Sequence, residues 1–113
     1  LARRTAQPRK ILVCRMMKTP GLFPLGKVVM TLGIQTLIQD KQSPLNNAEL
    51  LALLHRHQMG DDGDVCSEDA EANRQAIQQG LRVFSIYKQI NTTLWIITEA
   101  DRSYTTILLP EEY

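Results

Sequence analysis

The feature that most constrains this chain is a change of hydrophobic period at Gly80. Before it, apolar residues recur three and four positions apart; after it they alternate with a period of two. The stretches Leu81–Lys88, Thr93–Ala100 and Ser103–Leu109 are dense in β-branched and aromatic residues and are broken by short polar connections. They predict three antiparallel strands in a meander. Asp101-Arg102 is the expected turn. With a two-residue loop there, Glu99 lies opposite Tyr104, Ile97 opposite Thr106 and Trp95 opposite Leu108. One surface of the sheet then carries Trp95, Ile97 and Leu108, and the other Leu94, Ile96 and Ile107. Both surfaces are apolar. One must pack on helices, and the other is either covered by the N-terminal strand region or open to a partner.

The helices precede the sheet. Lys27-Val28-Val29-Met30-Thr31 reads as a short strand, and Thr31 can cap a helix over Leu32–Gln39 whose apolar face is Ile34, Leu37 and Ile38. Gly33 weakens that helix early. After Lys41-Gln42-Ser43-Pro44, Asn46 or Asn47 caps a second helix through about Gln58, with Leu50, Leu51, Leu53, Leu54 and His57 on its stripe. Ser67 offers a third N-cap, for a helix over Glu68–Gln79 that Gly80 stops. Its acidic first turn suits the helix dipole, and its core stripe is Ala70, Asn73, Ala76 and Ile77. The expected fold is α+β: a short N-terminal strand, two to three helices, then a three-stranded antiparallel meander.

At 113 residues the chain has room for one domain, and no apolar run approaches the length of a membrane span or a signal-peptide core. Its net charge of +1 conceals a split. Residues 1–39 hold seven cations and no carboxylate, whereas residues 40–113 hold six basic and twelve acidic residues. Residues 1–22, with Arg3, Arg4, Arg9, Lys10, Arg15 and Lys18 and broken by Pro8, Pro20 and Gly21, read as a flexible basic arm; residues 23–113 read as the domain. The arm could neutralise phosphates, which makes it the route by which nucleic acid would bind, but no aromatic is interleaved in it for base stacking. Cys14 and Cys66 form no CxxC pair, which suits reduced thiols in a cytoplasmic protein; a disulfide between them is the alternative.

The densest cluster of chemistry-bearing residues is His55–Cys66, with two imidazoles, three carboxylates and a thiol. It does not read as a metal site. His55 and His57 lie about 200° apart around a helix, and the aspartate spacing is not that of a calcium loop. No cofactor is called for. Gly60-Asp61-Asp62-Gly63-Asp64 is either a structured polar turn or a binding loop. His57 is either a partly buried residue making one hydrogen bond or an acid–base group whose pKa the neighbouring Asp61 and Asp64 would raise. Asn73 either faces solvent or bonds inward to the loop. In the hairpin, Glu99, Asp101 and Arg102 either form a solvated turn or, with Tyr104, an anion-binding corner. The candidate catalytic residues are His57 and Arg102. The candidate binding set is His57, Gly60, Asp61, Asp64, Asn73, Glu99, Asp101 and Arg102.

The segments Phe23-Pro24-Leu25-Gly26-Lys27-Val28-Val29-Met30-Thr31-x-Gly33, His57-x-x-Gly60-Asp61-x-Gly63-Asp64, Asp69–Asn73 and Trp95–Tyr113 resemble a small family of uncharacterised bacterial proteins carried on plasmids and integrative elements. The likeness spans residues 23–113 and leaves the arm outside. Some members are labelled as a subunit of a type I restriction enzyme, yet this chain is too short for a methyltransferase and has no Gly-rich cofactor loop. It departs from the family at Asp62, where a Trp is usual. The resemblance implies a mobile-element context rather than a mechanism.

Two functions follow as expectations. The first is a non-enzymatic accessory protein that binds a protein or nucleic-acid partner, or a second copy of itself, away from any membrane. The alternative is an RNA-cleaving toxin of the RelE/ParE kind, with His57, Arg82, Lys88 and Arg102 around the scissile phosphate.

Overall fold

The alternation after Gly80 does produce strands, and the earlier periodicity produces helices. In the computed structural model, which describes residues 21–43, 45–89 and 92–113, the order is β1 (Lys27–Met30), α1 (Leu32–Gln39), α2 (Asn47–Gln58), α3 (Ser67–Gln79), β2 (Val83–Gln89), β3 (Thr92–Thr98) and β4 (Tyr104–Leu108). A 3₁₀ turn, Pro110–Glu112, ends the chain. The fold is α+β, with three helices after the first strand. The basic arm through residue 20, with Cys14, lies outside the described residues. No described helix is long and apolar enough to cross a membrane.

The meander is as expected, but it is not the whole sheet. The strand order is β1-β4-β3-β2, and β1 joins it parallel to β4, with Lys27 beside Tyr104 and Met30 beside Ile107. The register between β3 and β4 is the one that a turn at Asp101-Arg102 implies, Trp95 opposite Leu108 and Ile97 opposite Thr106. The turn differs. The ladder ends at Thr98–Thr105 with one further bond, Glu99 N–H to the Tyr104 carbonyl, so Ala100–Ser103 forms a longer loop than Asp101-Arg102 alone. Arg102 takes a left-handed conformation there, φ 60°, which replaces the last rung of the predicted hairpin.

Alternation sends Val28, Met30, Val83, Tyr87, Leu94, Ile96 and Ile107 to one side, where they form a single core with Ile34 of α1, Leu50, Leu53 and Leu54 of α2 and Ala76 of α3. Each fully buried Leu or Ile contributes about 1.5–3 kcal/mol. Such packing must hold α1, because a helix of eight residues does not persist alone. Val29, Phe84, Ile86, Trp95, Ile97 and Leu108 fall on the second side by the same alternation.

The helix ends correct the expected caps in two places. Asn46 caps α2 as predicted, its side chain accepting from the Glu49 N–H at 2.9 Å, and Gly80 closes α3 at φ 74°. Cys66, not Ser67, occupies the N-cap of α3, and its side chain caps nothing. Thr31 sits at the N-cap of α1, yet its hydroxyl does not cap the helix. It donates to the Glu112 carboxylate, which also accepts from the Gly33 N–H at 2.9 Å. A carboxylate from the other end of the chain thus supplies the cap.

Candidate functional site

His57 projects from the stripe of α2 into the core and is 1% exposed. It makes two hydrogen bonds rather than the one expected: Nδ1 lies 2.6 Å from Ser85 Oγ on β2, and Nε2 lies 2.8 Å from Thr98 Oγ1 on β3. The chain of bonds continues from Thr98 to Thr105 at 2.7 Å and from Thr105 to the Leu25 carbonyl at 2.7 Å. That carbonyl has no proton, which fixes every direction. Thr105 donates to Leu25, so it accepts from Thr98; Thr98 has no second proton and accepts from Nε2–H; Nδ1 then accepts from Ser85. His57 is therefore the neutral Nε2–H tautomer. Burial, reinforced by the charge of Arg102, pushes its pKa down to about 3. The expectation that Asp61 and Asp64 would raise it is overturned, because its two ring partners are hydroxyls.

The Gly60–Asp64 loop is a docking element for the outer edge of β2. The Asp62 carbonyl accepts from Ile86 N–H at 3.1 Å, the Asp64 N–H donates to the Ile86 carbonyl at 2.7 Å, and the Asp64 carboxylate accepts from Lys88 N–H at 3.0 Å. Gly63 is required at this bridge. A Cβ there would stand 2.1 Å from the Ile86 carbonyl oxygen, and φ is +73°. Asn73, one helix further on, completes the edge. Its Nδ2 donates to the Phe84 carbonyl and to the Asp62 carboxylate at 3.1 Å, and its Oδ1 accepts from Phe84 N–H at 3.0 Å. The inward alternative for Asn73 is thus the observed one. Together the loop and Asn73 engage outward-pointing backbone groups of Phe84, Ile86 and Lys88 that would otherwise invite another strand.

Asp61 and Gly60 act within the same loop. Arg56 pairs with the Asp61 carboxylate at 2.8 Å and holds it below its ordinary pKa, while the guanidinium lies 4.8 Å from the centre of the Tyr87 ring. The Tyr87 hydroxyl donates to the Asp61 carbonyl, and burial pushes its pKa up to about 12. Gly60 donates its N–H to the His57 carbonyl at the end of α2.

Arg102 does not open an anion site. Nη1 donates to the Leu81 carbonyl at 2.6 Å and to the Glu99 carbonyl at 3.2 Å, and Nη2 to the Ala76 carbonyl at 3.0 Å. Its guanidinium lies 5.2 Å from the Phe23 ring centre. Asp101 accepts from Ser103, which lowers its pKa, and Glu99 enters these bonds through its backbone. The eight candidate binding residues therefore divide among a buried relay, an edge cap and a turn rather than facing one cleft. Among the described residues no group of three His, Cys, Asp or Glu could hold a metal ion.

Sequence reasoning missed Ser85, Thr98 and Thr105, all fully buried. The signal was available: three hydroxyl residues fall on the core side of strands whose other inward positions are apolar. It missed Glu112 for a different reason, since nothing local links it to α1 across about eighty residues of sequence.

The second face of the sheet is built differently. Ile97 and Leu108 form its floor at 5% exposure each, while Phe84, Ile86 and Trp95 keep part of their surface in solvent. Phe84 and Trp95 meet edge to face with centroids 5.0 Å apart, and Trp95 meets Tyr113 at 5.4 Å. Arg82 ends the row, donating to the Tyr113 hydroxyl at 2.9 Å. The chain matches no known family model, no curated protein and no solved structure.

Proposed function

We propose that the chain is a non-enzymatic interaction module that meets its partner through the second face of the sheet. One observation carries the reading. The side chains of the candidates His57, Asp61, Asp64, Asn73 and Arg102 are engaged by bonds inside the molecule, whereas Phe84, Ile86 and Trp95 retain apolar surface in solvent on a face that also carries Tyr104, 39% exposed, and meets Tyr113, 51% exposed. The likeness to plasmid and integrative-element proteins supports a role as an accessory protein of a mobile element.

The RNA-cleaving alternative draws less support. It needs His57, Arg82, Lys88 and Arg102 around one phosphate, yet His57 is buried on the helix side of β2 while Phe84, which shares its face with Lys88, is on the other.

The test is comparative. Light scattering and capture from host lysate should reveal a complex or a homodimer that Ile86→Asp abolishes and that Asn73→Ser, if folded, retains. A monomer that captures nothing and turns over a substrate would remove the reading. Growth arrest on induced expression, relieved by Arg102→Ala, would favour the toxin instead.

A further inference from the structure

Resting on that reading, we infer that the second face takes single-stranded nucleic acid, with bases on its aromatic row and phosphates on the cations at its ends. The row runs Phe84, Trp95, Tyr113 and stops at Arg82. Its contacts are edge to face, with interplanar angles of 86° and 62°. In such a contact one ring offers only its edge, so that contact leaves its faces free, as base stacking needs.

Cations bracket the row. Lys88 shares the face of Phe84 and Ile86 by alternation and is exposed, about 20 Å from Arg82 at ~3.3 Å per residue. Lys27, also exposed, stands on β1 at the opposite edge of the sheet.

Most of the carboxylates come before strands β2–β4 in the chain. Eight of the twelve precede Gly80, in the helices and their loops. Glu112 is turned to the first turn of α1. Glu99 and Asp101 follow β3, Glu111 lies in the C-terminal turn, and the Asp64 carboxylate reaches the β2 edge at the Lys88 N–H. Partly exposed aromatic rings with cations at both ends are the chemistry that recognises an unpaired strand, whose bases offer π-faces and whose backbone offers negative charge. A duplex hides those faces in its stack.

Trp95 is the only tryptophan in the chain and lies in the row, so the protein carries its own reporter. Full-length protein is titrated with a short mixed-sequence single strand and, separately, with the same sequence as a duplex, following Trp95 emission. The single strand should quench Trp95 saturably, the duplex should not, and binding should weaken as salt is raised. Phe84→Leu, which keeps an apolar residue in β2, should weaken binding roughly five-fold or more. Lys88→Gln should lower the slope of log affinity against log salt by about 1.

A labelled strand that binds while Trp95 emission and the Phe84→Leu variant show no effect would place binding elsewhere and overturn the inference. No strand binding, with a homodimer or protein complex that Ile86→Asp abolishes, would also overturn it while leaving the interaction-module reading standing. If Ile86→Asp disturbs no interaction of any kind, both fall.

Discussion

Two sides of one sheet, sharing the same strands, have been put to opposite uses. On the helix side, Ser85, Thr98 and Thr105 are polar residues at positions that packing alone would fill with Val or Ile, and each is satisfied by His57 or by another hydroxyl of the relay. On the second side, Phe84, Ile86 and Trp95 are apolar residues at positions that solvent alone would leave polar. Polar chemistry faces inward and apolar surface faces outward. The difference teaches that a cluster of His, Asp, Asn and Arg marks structure when its members find backbone partners, and that aromatic residues left outside are the better pointer to function.

The comparison breaks first at His57. His57→Ala leaves Ser85 and Thr98 facing a void without their partner, and should cost about 3–5 kcal/mol in urea unfolding. A loss below 1 kcal/mol would mean that the relay is not what ties α2 to the sheet.

Acid probes the same group more gently. The folded pKa of about 3 lies below the ordinary 6.5, so the unfolded chain binds more protons between these values. The stability tied to neutral His57 is thus complete above pH 6.5 and falls as pH drops towards 3. About 2–3 kcal/mol should be gone by pH 4.5, from the linkage slope of ~1.4 kcal/mol per pH unit. Between pH 6.5 and 5, where carboxylates contribute little, the slope should vanish in His57→Leu; an unchanged slope there would assign the effect to another group.

Asn73 comes next. Asn73→Ala removes the amide that pairs both backbone groups of Phe84 and should cost about 2 kcal/mol. It also uncovers part of the β2 edge, so aggregation on partial unfolding should increase, as turbidity during a thermal ramp would show. A stable, non-aggregating Asn73→Ala would mean that the Asp62 and Asp64 backbone protects the strand without help.

How much of this was legible depended on distance along the chain. The stripe Leu50, Leu53, Leu54 and His57, the Asn46 cap and the Gly80 stop are local patterns and appear where the sequence puts them. The β3–β4 register follows from placing the turn at Asp101-Arg102, together with alternation. The parallel neighbour of β4 was not readable, because four residues near the start of the domain cannot announce which edge they join. The same holds for Glu112 at the start of α1. The site stood open between a structural and a binding reading for another reason. His57, Asp61 and Asp64 are close in sequence, but the loop turns the Asp64 carboxylate to the Lys88 N–H on β2 and the Asp61 carboxylate to Arg56, while α2 sends the imidazole into the core. Sequence proximity of titratable residues therefore argued for a site that the helix geometry takes apart.

The smallest effect on folding sharpens the comparison most. Ser85 and Lys88 lie three residues apart on β2 and point to opposite sides, one buried and one exposed. Ser85→Ala deletes the donor to His57 Nδ1 and should cost about 1 kcal/mol or more, since a buried acceptor is left alone. Lys88→Gln should change stability by less than about 0.5 kcal/mol, because only its backbone N–H holds the Asp64 carboxylate and substitution leaves that group in place. If the second side serves a partner, Lys88→Gln must nevertheless alter binding while leaving the unfolding curve where it was. A variant that shifted both together would mean that the second side is held by the fold itself, and the division between a structural and a presenting surface would fail on the one strand that carries both.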